Sequence, residues 1–82
     1  MIRVLVVDDS VVIRRLVAQT LDRDPEITVV GTAADGRLAL AKVEQLDPDV
    51  VTLDIEMPVM DGIETVRALR AAGRRMPVVM FS

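Results

Sequence analysis

The chain has 82 residues, 51% hydrophobic and 28% charged, with a net charge of −3. That length supports one small domain burying roughly 60–65% of its unfolded surface, and the composition fits a globular protein rather than a disordered one. Cysteine and histidine are both absent, which excludes disulfides, Cys or His zinc sites and Ser-His-Asp catalysis, while the acidic balance argues against a nucleic-acid partner.

Four apolar runs rich in β-branched residues read as strands: Ile2–Val7, Ile27–Ala33, Val50–Ile55 and Val78–Phe81. They mostly lack polar alternation, as strands covered on both faces do. The segment after the first run places Ile13, Leu16, Val17 and Leu21 on one helical face. Asp9 and Ser10 supply N-cap residues, and Pro25 lies past its end. A second helix is predicted from Gly36 to Leu46, capped by Asp35, with Ala39, Val43 and Leu46 inward and Pro48 blocking its continuation. A third is predicted from Gly62 to Ala72, led by Asp61, with Ile63, Val66 and Leu69 inward and Gly73 as C-terminal cap. The order βαβαβαβ predicts an α/β fold with a parallel sheet and right-handed crossovers.

No apolar run reaches the length of a membrane-spanning helix, so no membrane partner is expected. Strand-like Met1–Val7 carries no cleavage-site pattern, and a cytoplasmic location is the expectation. The chain ends on an apolar strand, which reads as a piece truncated after its fourth strand. The edge left at Val78–Phe81 invites a homodimer or higher assembly.

In parallel α/β sheets, ligands bind beyond the carboxyl ends of the strands. Asp8 and Asp9 follow the first strand, and Asp54 stands near the end of the third. If those strands are neighbours, three carboxylates converge and repel unless a cation lies among them. Hard oxygen ligands suit Mg²⁺. Helix capping competes as a reading of Asp8 and Asp9. Asp54 is harder to explain structurally, because an unpaired carboxylate in an apolar strand is costly. Asp61 with Gly62 reads as a turn and helix start. Glu56 offers a backbone carbonyl to the cation, with its side chain in solvent. Ser82 could place a hydroxyl over the same pocket, and Arg14 and Arg15 read as a solvated helix face.

The segments VLVVDDS (Val4–Ser10), LDIEMPVMDG (Leu53–Gly62) and PVVMFS (Pro77–Ser82) resemble the receiver domain of two-component response regulators. The resemblance spans the whole chain, 1–82, as one receiver domain. It implies a flavodoxin-like (CheY-like) sheet of strand order 2-1-3-4, here lacking the family's fourth helix, fifth strand and fifth helix. It also implies Asp54 as phosphoacceptor from a sensor histidine kinase. Mg²⁺ would be held by Asp9 directly, Asp8 largely through water, Asp54 and the Glu56 carbonyl, with Ser82 as switch hydroxyl. The family's fifth-strand lysine has no counterpart, since the one lysine, Lys42, falls in the second helix.

Within the family, DIEMPVMDGIETVRALR and MPVVMFS are most similar to the receiver of chemotaxis protein-glutamate methylesterases. EITVVG, AADG and much of MDGIE are shared with DNA-binding regulators. No esterase catalytic residues are expected in this chain, and its output domain would lie outside it. Two alternatives stand beside this reading: the receiver of a DNA-binding regulator, and a folding or assembly fragment without phosphotransfer. A phosphatase of another Asp-nucleophile family would want a second Asp where Glu56 stands.

Overall fold

The computed structural model describes residues 1–81. The expected switch hydroxyl, Ser82, lies outside the described residues. The elements run β1 (Ile2–Val7), α1 (Val11–Asp22), β2 (Ile27–Ala33), α2 (Gly36–Leu46), β3 (Val50–Asp54), α3 (Gly62–Ala71) and β4 (Val78–Phe81). The expected boundaries hold to within a residue. β3 stops at Asp54 rather than Ile55, and α3 at Ala71 with Ala72 as its C-cap.

The caps follow from the residue types. The carboxylates of Asp35 and Asp61 accept the amides of Leu38 and Glu64, and Glu64 reaches back to the Asp61 amide to close a capping box. Gly73, at φ +81°, ends α3. Its amide donates to the Arg70 carbonyl, and the Arg74 amide donates to the Leu69 carbonyl. Only glycine takes that left-handed conformation without a side-chain penalty.

All pairings are parallel, and the strand order is β2-β1-β3-β4. β1 lies between β2 and β3, with Val7 registered against Leu53. The two faces differ. On one, Leu5, Val7, Val51 and Leu53 join Ala39 and Val43 of α2 and Leu69 of α3 in the main core. Side chains alternate along a strand, so Val4 and Val6, both buried, point to the other face, where α1 packs on β1 and β2.

That second face is only half covered, contrary to the expectation of strands sheltered on both sides. α1 has no buried residue, and Ile13 and Leu16 of its predicted apolar face are exposed. Val79 of β4 is 55% exposed, for want of a neighbour over the β3–β4 half. Helix α3 departs from its predicted pattern as well. Ile63 is exposed, and Thr65 is fully buried instead, its hydroxyl donating to the Asp61 carbonyl at 2.8 Å. A Cβ on Gly36 would collide with the Thr65 hydroxyl, so α2 starts hard against α3. Among the described residues, no helix is long and apolar enough to cross a membrane.

Candidate metal centre

β1 and β3 run side by side and in the same direction, so the residues at their carboxyl ends meet. Carboxylate oxygens of Asp8, Asp9 and Asp54 all lie within 4.8 Å of one another. Asp8 is buried, Asp54 half-buried and Asp9 exposed.

Capping does not account for the acidic pair. The N-cap of α1 is Ser10, whose hydroxyl accepts the Ile13 amide at 3.3 Å. That leaves the Asp9 carboxylate free of the role that competed for it. The Asp8 carboxylate accepts the Ser10 amide at 2.9 Å, which tightens the loop, and its backbone amide donates to the Ala33 carbonyl of β2 at 3.1 Å. Asp8 is thus pinned from two sides while it faces the cluster.

Asp54 ends β3, and its carboxylate accepts the Glu56 amide at 3.1 Å. Among the described residues no Lys or Arg pairs with it, since both ion pairs belong to Arg74 with Glu44 and Asp47. Its carboxyl is pushed above the ordinary range. Removal from water is the largest cause, and the charges of Asp8 and Asp9 add to it, while the Glu56 amide pulls the other way.

The loop after β3 is held tightly beneath the cluster. A Cβ on Gly62 would stand 2.8 Å from both the Asp54 carbonyl oxygen and the Ile55 Cα, and the Gly62 amide donates to the Ile55 carbonyl. Glycine lets the start of α3 close on the strand that carries Asp54. Asp61 serves as N-cap, as its place before Gly62 suggests. Met57 is buried in the core, whereas Val59 lies exposed at φ +72°. The Met60 amide donates to the Pro58 carbonyl across Val59, a strained γ-turn that the Pro-Val-Met sequence did not signal.

Arg14 and Arg15, read together as a solvated pair, separate here. Arg15 is exposed, but Arg14 is half-buried and its guanidinium donates to the Asp8 carbonyl at 2.8 Å. Lys42 sits within α2, and the Glu56 side chain is exposed.

Three hard oxygen donors, closely set and short of a protein counter-charge, fit a small divalent cation such as Mg²⁺. Such a cation would also relieve the repulsion that raises Asp54.

A family model described as the response regulator receiver domain matches residues 4–82. The chain belongs to that family. Its relatives place it further: it is 69% identical, over 99% of its length, to a protein-glutamate methylesterase/protein-glutamine glutaminase from Nocardioides. A protein of that name from Symbiobacterium thermophilum is 60% identical over the same share. The chain spans about a fifth of these relatives, 22% in each case. Among solved structures, the response regulator domain of Thermotoga maritima CheB matches with a TM-score of 0.86 and 44% identity, over 98% of this chain and 60% of that one. The receiver domain of the response regulator NarL from Mycobacterium tuberculosis matches with a TM-score of 0.91 and 37% identity, over 96% and 64%. The chain is therefore similar to the receiver of chemotaxis methylesterases, and the strand order 2-1-3-4 is that of the CheY-like fold.

Proposed function

We propose that residues 1–82 form the receiver module of a two-component phosphorelay, phosphorylated on Asp54 in a Mg²⁺-dependent reaction. The observation that carries this reading is the convergence of Asp8, Asp9 and Asp54 within 4.8 Å at the carboxyl ends of β1 and β3. A carboxylate oxygen of Asp54 attacks the phosphorus of a phosphohistidine on a sensor histidine kinase. The P–N bond breaks, its electron pair stays on the imidazole, which takes a proton from solvent, and an aspartyl phosphate forms. Asp54 is half-buried rather than sealed, so an incoming donor can reach it. Asp9 would hold the cation directly and Asp8 largely through water, with Asp54 and the Glu56 carbonyl completing the protein ligands. Bound there, Mg²⁺ supplies neutralisation of the charge on the transferring phosphoryl oxygens. Ser82 contributes the hydroxyl that binds a phosphoryl oxygen once transfer is complete.

Identity to full-length methylesterases supports a methylesterase as the regulated output, which lies outside this chain. The exposed edge at β4 supports self-association of the isolated chain, and the proposed location is cytoplasmic.

Calorimetric titration with Mg²⁺, with and without beryllofluoride, tests the reading. The wild-type chain should bind the cation and then the phosphoryl mimic, and Asp54→Asn should lose the mimic. A wild-type chain that binds neither would overturn it.

A further inference from the structure

Helix α1 lies on the half-covered face and buries none of its residues, although Val11, Val12, Ile13 and Leu16 are all apolar. Apolar packing therefore holds its first two turns weakly. Those turns adjoin the loop that carries Asp8 and Asp9.

The loop's own bonds are local or point elsewhere. The Asp8 amide is tied to Ala33 of β2, and the Asp8 carboxylate to the Ser10 amide two residues on. The Asp8 carbonyl is left, and it points toward α1. There it accepts a 2.8 Å hydrogen bond from the Arg14 guanidinium, a charged donor and so a stronger partner than a backbone amide. The Arg14 amide donates in turn to the Ser10 carbonyl at 2.9 Å. Main chain and side chain of one residue thus close a ring around Asp8, Asp9 and Ser10. Arg14 is half-buried in this position while Arg15 stands free in solvent.

We infer that Arg14 is a positioning residue for the cation site: by holding the Asp8 carbonyl, its guanidinium sets the acidic loop so that Asp8 and Asp9 face Asp54. This rests on the proposed function, because a loop so positioned matters only if the cluster takes a cation. The contact is to a main-chain carbonyl, so Arg14 touches neither cation nor phosphoryl group. Partners that orient metal ligands typically change metal affinity about 10–100-fold when removed.

The test compares wild type, Arg14→Met, Arg14→Lys and Arg15→Met by calorimetric Mg²⁺ titration, and by hydrogen exchange of the Ser10 amide in the metal-free chain. Arg14→Met should weaken Mg²⁺ binding about tenfold or more and speed Ser10 exchange. Arg14→Lys, which keeps a charged donor, should recover most of both, and Arg15→Met should change neither. If Arg14→Met does not fold by circular dichroism, Arg14→Gln takes its place with the same expectation. Wild-type affinity and wild-type Ser10 exchange in the Arg14 variant would overturn the inference, as would equal losses in the Arg15 variant. If the wild-type chain takes no Mg²⁺, the proposed function falls, and unchanged or accelerated Ser10 exchange still decides whether Arg14 holds the loop.

Discussion

The two faces of the sheet divide the work. The face under α2 and α3 is closed: Leu5, Val7, Val51, Leu53, Val43 and Leu69 are essentially inaccessible there. The face under α1 is open on its β3–β4 side, where Val79 and the apolar start of α1 meet water. By strand alternation Asp54 points with Thr52 toward this second face, beside its register partner Phe81. Stability is thus concentrated on one side of the sheet, and the carboxylate proposed to react stands at the rim of the other.

The largest expected effect compares the faces directly. Leu69→Ala, from the closed face, should cost about 3 kcal/mol in urea denaturation, whereas Leu16→Ala on the open face should cost less than about 1 kcal/mol. Similar losses would mean that α1 is packed as firmly as α3. Next comes the junction between the closed core and the site. Gly62→Ala sets a methyl against the Asp54 carbonyl and the Ile55 Cα, backbone atoms that cannot swing aside. It should cost about 2 kcal/mol and weaken Mg²⁺ binding as well. An unchanged melting curve would show that the start of α3 can lift away from β3.

Two smaller effects probe the open face. The Thr52 hydroxyl is buried with no hydrogen-bond partner among the described residues, between register partners Val6 and Val79. Thr52→Val should therefore stabilise the chain by about 0.5–1 kcal/mol, and a loss of stability would reveal a partner for that hydroxyl.

Asp54 supplies the last effect through pH. Its carboxyl titrates above its unfolded value, so the folded chain holds that proton more tightly than the unfolded one. Its charge therefore costs no stability below the unfolded pKa, and the cost grows as pH rises until it is complete above the folded pKa. Without divalent cation at neutral pH, Asp54→Asn should melt above wild type. The gap should close as pH falls to ~3, and saturating Mg²⁺ should reverse the order. A gap independent of pH would mean that Asp54 feels neither burial nor its acidic neighbours.

Much of this was legible in the sequence because it is local. The N-caps Asp35 and Asp61 and the glycine after the Ala72 C-cap, Gly73, declare themselves by residue type, and the strands by β-branched runs, so the elements fall within a residue of their expected bounds. The pattern in α3 misled at Ile63 and Thr65. Apolar spacing ranks isoleucine above threonine, but a hydroxyl bonded to the Asp61 carbonyl removes the cost of burying threonine, and the small side chain fits against Gly36. The Arg14–Arg15 pair was equally opaque, because adjacent residues on a helix point in different directions and only the fold says which meets the loop.

The sequence by itself determined the succession of strands and helices, their caps, and three aspartates set at strand ends. Each of those follows from short-range spacing and side-chain type. The tertiary structure decided that β1 lies against β3, which brings the three carboxylates within 4.8 Å. It also decided that Ser10 rather than Asp9 caps α1, that Arg14 grips the Asp8 carbonyl, and that one face of the sheet stays half open. These depend on strand pairing and on which surfaces meet across the fold, and residues distant in sequence acquire such relations only when the chain packs.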